Sequence, residues 1–158
     1  MLNSETSSTA DCEPDPAVNV RSTPIGKGVF ADRDFQAHDV VGWITGKVHD
    51  DPEYGSEYCI DIGGSITLEP DAPFRFLNHC CEPNSQFTWD ENEDDPEAIP
   101  EVYLLALRDI EAGEQLTIDY NWAADCAIPC QCGADSCRGW IVTLDEIDQL
   151  PASKKKRR

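Results

Sequence analysis

Arg75-Phe76-Leu77-Asn78-His79-Cys80-Cys81-Glu82-Pro83-Asn84 is the stretch on which the reading of this 158-residue chain turns. Ten residues hold a short apolar run, an Asn-His pair, two adjacent thiols and a Pro-Asn turn signal. Two later segments answer it: Gly113-Glu114-Gln115-Leu116-Thr117-Ile118-Asp119-Tyr120, and Cys130-Gln131-Cys132-Gly133-Ala134-Asp135-Ser136-Cys137. Each segment alone is ambiguous. A lone histidine is more often a satisfied structural residue than a catalyst, and no Ser or Asp partner makes a hydrolase triad. A tyrosine that ends a strand is usually core.

The cysteines carry the first chemical signal. Cys130, Cys132 and Cys137 place three thiolates within eight residues, and zinc takes four ligands in a tetrahedron. The spacing leaves the fourth ligand open between Cys126 nearby and Cys81 far upstream. A zinc closed by four cysteines has no open position, so its role is structural. Eight cysteines with no secretory leader favour metal over disulfides. Gly26-Lys27-Gly28 allows close backbone approach to a ligand, yet a lone GxG also fits an ordinary turn. No full GxGxxG follows a strand, so there is no dinucleotide fingerprint.

Size and charge bound the function. The length suits one domain. No apolar run reaches the ~20 residues that span a bilayer. The expectation is an intracellular, soluble protein with no membrane partner, cytoplasmic, or nuclear and chromatin-associated if eukaryotic. The formal charge is −19, and the basic run Lys154-Lys155-Lys156-Arg157-Arg158 leaves a body near −24. Such a body repels nucleic acid and attracts basic protein segments. The basic tail reads as a nuclear localisation signal or as a solvated terminus.

The pattern predicts a mainly β fold of short strands with no long helix. Strands are expected over 29–31, 40–48, 57–62, 65–68, 86–89, 102–107 and 115–119. Gly63-Gly64 makes a hairpin turn. Residues 74–78 are a candidate helical turn and 144–150 a candidate short helix. Residues 1–17 read as disordered, and 90–100 as an acidic loop.

Taken together, these residues resemble the SET-domain protein lysine methyltransferases, over about residues 18–142. Residues 26–31 are similar to the family's GxG segment, and 57–61 to the strand with an active-site tyrosine. Residues 75–84 match RFxNHxCxPN. Residues 113–120 match GEELTxDY with Gln115 for the second Glu. Residues 130–139 match the post-SET CxCxxxxCxG. The resemblance implies a β-clip fold of small curved sheets, with a pseudoknot-like threading near Asn78 and Tyr120. It implies a SET domain over 18–123, a post-SET zinc segment over 124–142, and an extension with the basic tail over 143–158.

The resemblance also assigns roles. Zinc goes to Cys81, Cys130, Cys132 and Cys137, with Cys80 at the variable position and Cys126 free. S-adenosylmethionine is the cofactor, contacted by Gly26, Lys27, Gly28, Asn78, His79 and Tyr120, with Trp140 covering it. Tyr120 and Tyr58 are the catalytic candidates. Ile118 stands where relatives often carry Phe or Tyr, and with no hydroxyl it leaves an apolar pocket open to di- or trimethylation. The implied function is methyl transfer to the lysine ε-amine of a basic protein, histone-like or ribosomal. A non-catalytic SET-like module that keeps fold and zinc is the alternative. A zinc-stapled nucleic-acid binder is disfavoured by the charge. Substrate choice is expected from residues 58–75, from the acidic loop and from electrostatics.

Overall fold

Short runs of β-branched and aromatic residues, cut by glycine and proline, cannot support long elements. The computed structural model describes residues 16–152 and contains twelve short strands and three short 3-10 helices in that span. Strands β1 (Val18–Thr23) and β2 (Gly26–Ala31) form an antiparallel hairpin. Strands β3 (Val40–Trp43) and β4 (Gly46–Asp50) follow. Next come β5 (Ile60–Asp61) and β6 (Ile66–Pro70), then a 3-10 turn at Phe74–Phe76. Strand β7 (Asn78–His79) precedes β8 (Ser85–Trp89) and β9 (Val102–Ala106). Strand β10 (Gln115–Ile118) leads to a 3-10 turn at Ala124–Cys126, then β11 (Ile128–Pro129) and β12 (Trp140–Ile141). A last 3-10 helix spans Leu144–Gln149.

These strands make four small sheets, in the orders β1-β2-β10-β7, β3-β9-β8, β4-β6-β5 and β11-β12. The first sheet positions the site. Strand β10 runs antiparallel to β2, with Leu116 opposite Val29, and parallel to β7, with Thr117 opposite Asn78 and Ile118 opposite His79. Strands β7 and β10 thus lie side by side in the region where the resemblance implies a pseudoknot-like threading. The Asn84 side chain accepts from Thr117 N–H and donates to the Gln115 carbonyl, and Ser85 Oγ donates to the Thr117 carbonyl. Both edges of β10 are therefore occupied.

Alternation decides what is buried. Val102, Leu104 and Ala106 of β9, Leu116 and Ile118 of β10, and Val29 and Ala31 of β2 face one core, joined by Phe35, Phe74 and Leu77. Each large side chain so buried contributes roughly 1.5–3 kcal/mol. Gly63 and Gly64 turn β5 into β6 with φ of +105° and +64°, a conformation costly for side chains with a Cβ.

Four expectations change. The run 40–48 is two strands, because Ile44 and Thr45 leave the ladder and β4 pairs with β6 while β3 pairs with β9. The run 57–62 shrinks to Ile60–Asp61: Ser56 takes the Tyr58 and Cys59 N–H groups through its hydroxyl and carbonyl, closing a turn that competes with pairing. The candidate helical turn at 74–78 forms as one 3-10 turn at Phe74–Phe76, and the short helix expected at 144–150 forms as a six-residue 3-10 helix at Leu144–Gln149. Within the segment read as disordered, Pro16 and Ala17 are placed: Pro16 accepts from Val18 N–H, Ala17 accepts from Asp32 N–H, and Ala17 packs on the core. Residues 1–15, with Cys12, and the basic run at 154–158 lie outside the described residues.

Gly46 shows how tightly the β4-β6-β5 sheet closes. A Cβ there would sit 2.1 Å from the Glu69 carbonyl oxygen, which is backbone and has little room to move. Gly46→Ala is expected to lower unfolding free energy by about 1–3 kcal/mol in urea titration, the range for overpacking a tight site.

Candidate functional site

Tyr120 stands one residue past Asp119, just beyond the end of β10. Its Oη donates to the Leu77 carbonyl at 2.7 Å, and its N–H donates to His79 Nδ1 at 3.2 Å. Burial, aided by the negative charge of Glu57 and by Tyr58, pushes its phenol up to about 12. With its proton committed to Leu77, the oxygen has lone pairs left to accept from a ligand. Tyr120, Tyr58 and Ile118 line one pocket of about 380 Å³. Its apolar wall comes from Phe74, Leu77, Phe87, Trp89 and Trp122, and Glu57 and Asp61 bring carboxylates to it. Tyr58 reaches the pocket from the turn rather than a strand, 40 % exposed, with the Arg75 guanidinium 4.8 Å over its ring. Such a space takes a long side chain with an apolar stem and a polar head.

The glycine segment and Asn78 meet on the other side of β10. Asn78 Nδ2 donates to the Lys27 carbonyl and to Gln115 Oε1, both at 2.9 Å. Gln115, the departure from the family pattern, therefore acts as an acceptor for Asn78. Gly28 fits because a Cβ would lie 2.5 Å from Gln115 Oε1 and 3.1 Å from Asn78 Nδ2. Gly26 is open, at φ +125°. Lys27 Nζ lies 4.7 Å over the Phe76 ring. Trp140 is half-buried, and its indole N–H donates to the Pro151 carbonyl at 3.0 Å. That bond fixes its edge against the C-terminal segment.

Cys81, Cys130, Cys132 and Cys137 bring four Sγ atoms within 4.8 Å of one another, and Cys81 and Cys130 are 3.8 Å apart. Four Zn–S bonds of ~2.3 Å in a tetrahedron need about the same spacing. The donor set and its geometry fit zinc. Cys126 is exposed and outside the group. Cys80 is also outside it, although its thiol faces Cys132 and is pushed up mainly by burial. The Cys132 thiol is the acidic one, at about 7: burial opposes ionisation, but N–H groups of Cys81 and Ala134 and the neighbouring thiols outweigh it.

His79 joins the two sides. Its Nδ1 accepts from Tyr120 N–H, so its proton belongs on Nε2, which lies 3.4 Å from Cys81 Sγ. Burial lowers its pKa against the pull of Asp119, and the imidazole is neutral. The 3.5 Å approach of Asp119 to Nδ1 is thus no ion pair; Asp119 is paired instead with Arg138, at 2.8 Å. The sequence reading named neither Asp119 nor Arg138 as a site residue, nor the aromatic wall of Phe87, Trp89 and Trp122. Asp119 sits inside a quoted motif and Arg138 directly after the last zinc cysteine, so their positions were the available signal.

Comparison with known proteins places this geometry in a family. The SET domain family model matches residues 26–121.

The chain belongs to the SET domain family. It is 29 % identical over 158 residues to a mouse histone-lysine N-methyltransferase specific for H3 lysine-36, covering 87 % of this chain and 6 % of that protein. It is 34 % identical over 107 residues to histone-lysine N-methyltransferase ash1 of Drosophila melanogaster, covering 63 % of this chain and 5 % of the relative. The chain thus spans about a twentieth of these relatives' length. Among solved structures it is similar to KRYPTONITE in complex with mCHG DNA and SAH. The TM-score there is 0.66 and the identity 27 %, over 78 % of this chain and 29 % of that one. A second KRYPTONITE complex, with an H3(1-15) peptide and SAH, scores 0.65.

Two measurements check the SET site. Mass spectrometry and metal analysis should find one zinc per chain. Cys81→Ser should lose it and Cys126→Ser keep it; the reverse pattern would make the zinc site local to the C-terminal loop. Ultraviolet titration should show the Tyr120 phenol ionising near 12 rather than near its ordinary 10, a signal that Tyr120→Phe removes. Because the folded state holds this proton more tightly, its contribution to stability is full below pH ~10 and is lost as pH rises toward about 12.

Proposed function

We propose that this chain is a protein-lysine methyltransferase that uses S-adenosylmethionine and acts on a basic, histone-like protein. The observation that carries the proposal is the Tyr120 hydroxyl in an aromatic pocket, its backbone held by the His79 that follows Asn78 on β7. Relatives named as histone-lysine methyltransferases and neighbours solved with SAH support the same reaction. The H3 lysine-36 specificity in the name of the mouse relative and the H3(1-15) peptide in the second KRYPTONITE complex also support a chromatin setting.

The cofactor when bound supplies an electrophilic methyl on a sulfonium. Gly26, Lys27 and Gly28, with Asn78, His79 and Tyr120, would hold it; Trp140 would cover it. The chain's own residues do the rest. The pocket wall strips water from the lysine stem, and desolvation beside a cation favours the neutral amine over the ammonium, whose free pKa is about 10.4. Tyr58 orients the amine by hydrogen bonding. The Tyr120 oxygen, its proton donated to Leu77, accepts weak C–H···O contacts from the methyl and aligns it. The lysine nitrogen so placed would take the methyl that the bound cofactor supplies, and the proton shed by the methylated amine would leave to water. Tyr120 is not the base, since its phenol is pushed up to about 12.

Substrate recruitment follows from charge. A body near −24, with Glu57 and Asp61 at the pocket, attracts lysine-rich segments and disfavours direct nucleic-acid contact. Ile118, buried beneath the pocket, brings no hydroxyl to hold a partly methylated amine.

Incubation with labelled S-adenosylmethionine and a panel of histones and basic proteins is the test. Transfer to lysine is expected, weakening as salt rises, with products up to di- or trimethyl-lysine by mass spectrometry. Tyr120→Phe should lower the rate by at least about tenfold, a loss of roughly 1.4 kcal/mol of transition-state stabilisation. Full activity in that variant would sink the mechanism. Absence of transfer from a zinc-loaded protein that still binds SAH would favour the non-catalytic module.

A further inference from the structure

Cys81 and Asp119 are the two ends of a bridge, and Arg138 is the residue that spans it. The Arg138 N–H donates to Cys81 Sγ at 3.4 Å, a hydrogen bond onto a zinc-ligating sulfur. Its guanidinium Nη2 donates to Asp119 Oδ1 at 2.8 Å, with the arginine side chain only 9 % exposed. The same carboxylate oxygen accepts from Asn121 N–H at 3.1 Å, bending the chain just after Tyr120. His79 closes the loop, bonded to Tyr120 through Nδ1 and facing Cys81 through Nε2. The ring of contacts joins β7, the end of β10 and the zinc loop. Among the described residues Arg138 Nε is buried without a partner, and the Asp119 contact, helped by the Cys81 sulfur, offsets the cost of holding the guanidinium there.

We propose that Arg138 is the positioning residue through which the zinc lobe sets the Asp119–Tyr120 turn, so that zinc and cofactor bind cooperatively. Without metal, residues 137 and 138 lose their anchor and the guanidinium cannot stay buried. Asp119 then loses its cation, and the turn that carries Tyr120 is released. Linkage makes the effect reciprocal: cofactor that orders Tyr120 also strengthens zinc binding. Lysine is a partial substitute only. It keeps one charge but lacks the planar fork that reaches the carboxylate with fixed geometry. The cofactor half of this inference rests on the methyltransferase reading; the turn half does not.

The test uses the full chain loaded with one zinc, as wild type, Arg138→Met, Arg138→Lys and Asp119→Asn. Zinc content, SAH affinity by calorimetry and amide hydrogen exchange over residues 119–122 are measured together. Arg138→Met is expected to keep its zinc, to exchange those amides faster, and to bind SAH at least about tenfold more weakly, a modest figure for a broken partly buried charge pair. Its KM for S-adenosylmethionine should rise, and Arg138→Lys should recover part of the loss. Wild type should hold zinc more tightly with SAH present, and Arg138→Met should not. Unchanged exchange and SAH affinity in Arg138→Met would overturn the proposal. So would zinc loss in Arg138→Met and Arg138→Lys alike, since Arg138 would then serve the metal lobe alone. Wild type that binds no SAH would overturn the cofactor reading and the cooperativity, while the exchange measurement still decides the role of Arg138 at the turn.

Discussion

Strand β10 has no free edge, and the site depends on that. Its main chain is shared among β2, β7 and the side chains of Asn84 and Ser85. Backbone groups inside a small protein must be paired, so these contacts fix the register of Gln115–Ile118 as well as its direction. The consequence is geometric. Leu116 and Ile118 point into the core, while Gln115 meets Asn78 on the glycine side. The next two residues, Asp119 and Tyr120, are delivered to the pocket at its end. A shift of one residue would exchange these faces.

The second organising element is the alternation in Asn78-His79-Cys80-Cys81. Asn78 reaches the β2 side, His79 turns inward to Tyr120, and Cys81 joins the metal thiols. Three of these four consecutive residues thus serve as a backbone clamp, a buried imidazole and one of four clustered thiols that fit zinc. This economy suits a domain that buries one modest core and adds a metal to hold its last segment.

Much of this was legible in sequence because the chemistry is local. The three cysteines at 130, 132 and 137 are separated by only a few residues, and the Gly63-Gly64 turn needs nothing beyond its own φ values. Cys81 became a ligand only through the family resemblance, since spacing left it level with Cys126. The strand at Tyr58 was misread because the alternation of 57–62 is real, while Ser56 captures the backbone that pairing requires. The aromatic wall was not legible, because Phe87 and Trp89 come from β8 and Trp122 from the segment after β10. Arg138 was not legible either. Its partner lies 19 residues back, and only the folded zinc loop brings them together.

In the proposed function, acidic charge and aromatic pocket would divide the work of recognition: the first would act at long range on any basic chain, the second would admit one extended side chain. A crystal structure of the zinc-loaded protein with SAH and a lysine-bearing basic peptide tests whether they meet at Tyr120. The expected result places SAH against residues 26–28, Asn78 and His79, with the lysine nitrogen entering between Tyr58 and Tyr120 from the opposite side. SAH occupying the Tyr58 pocket itself, or a lysine bound away from Tyr120, would contradict the account.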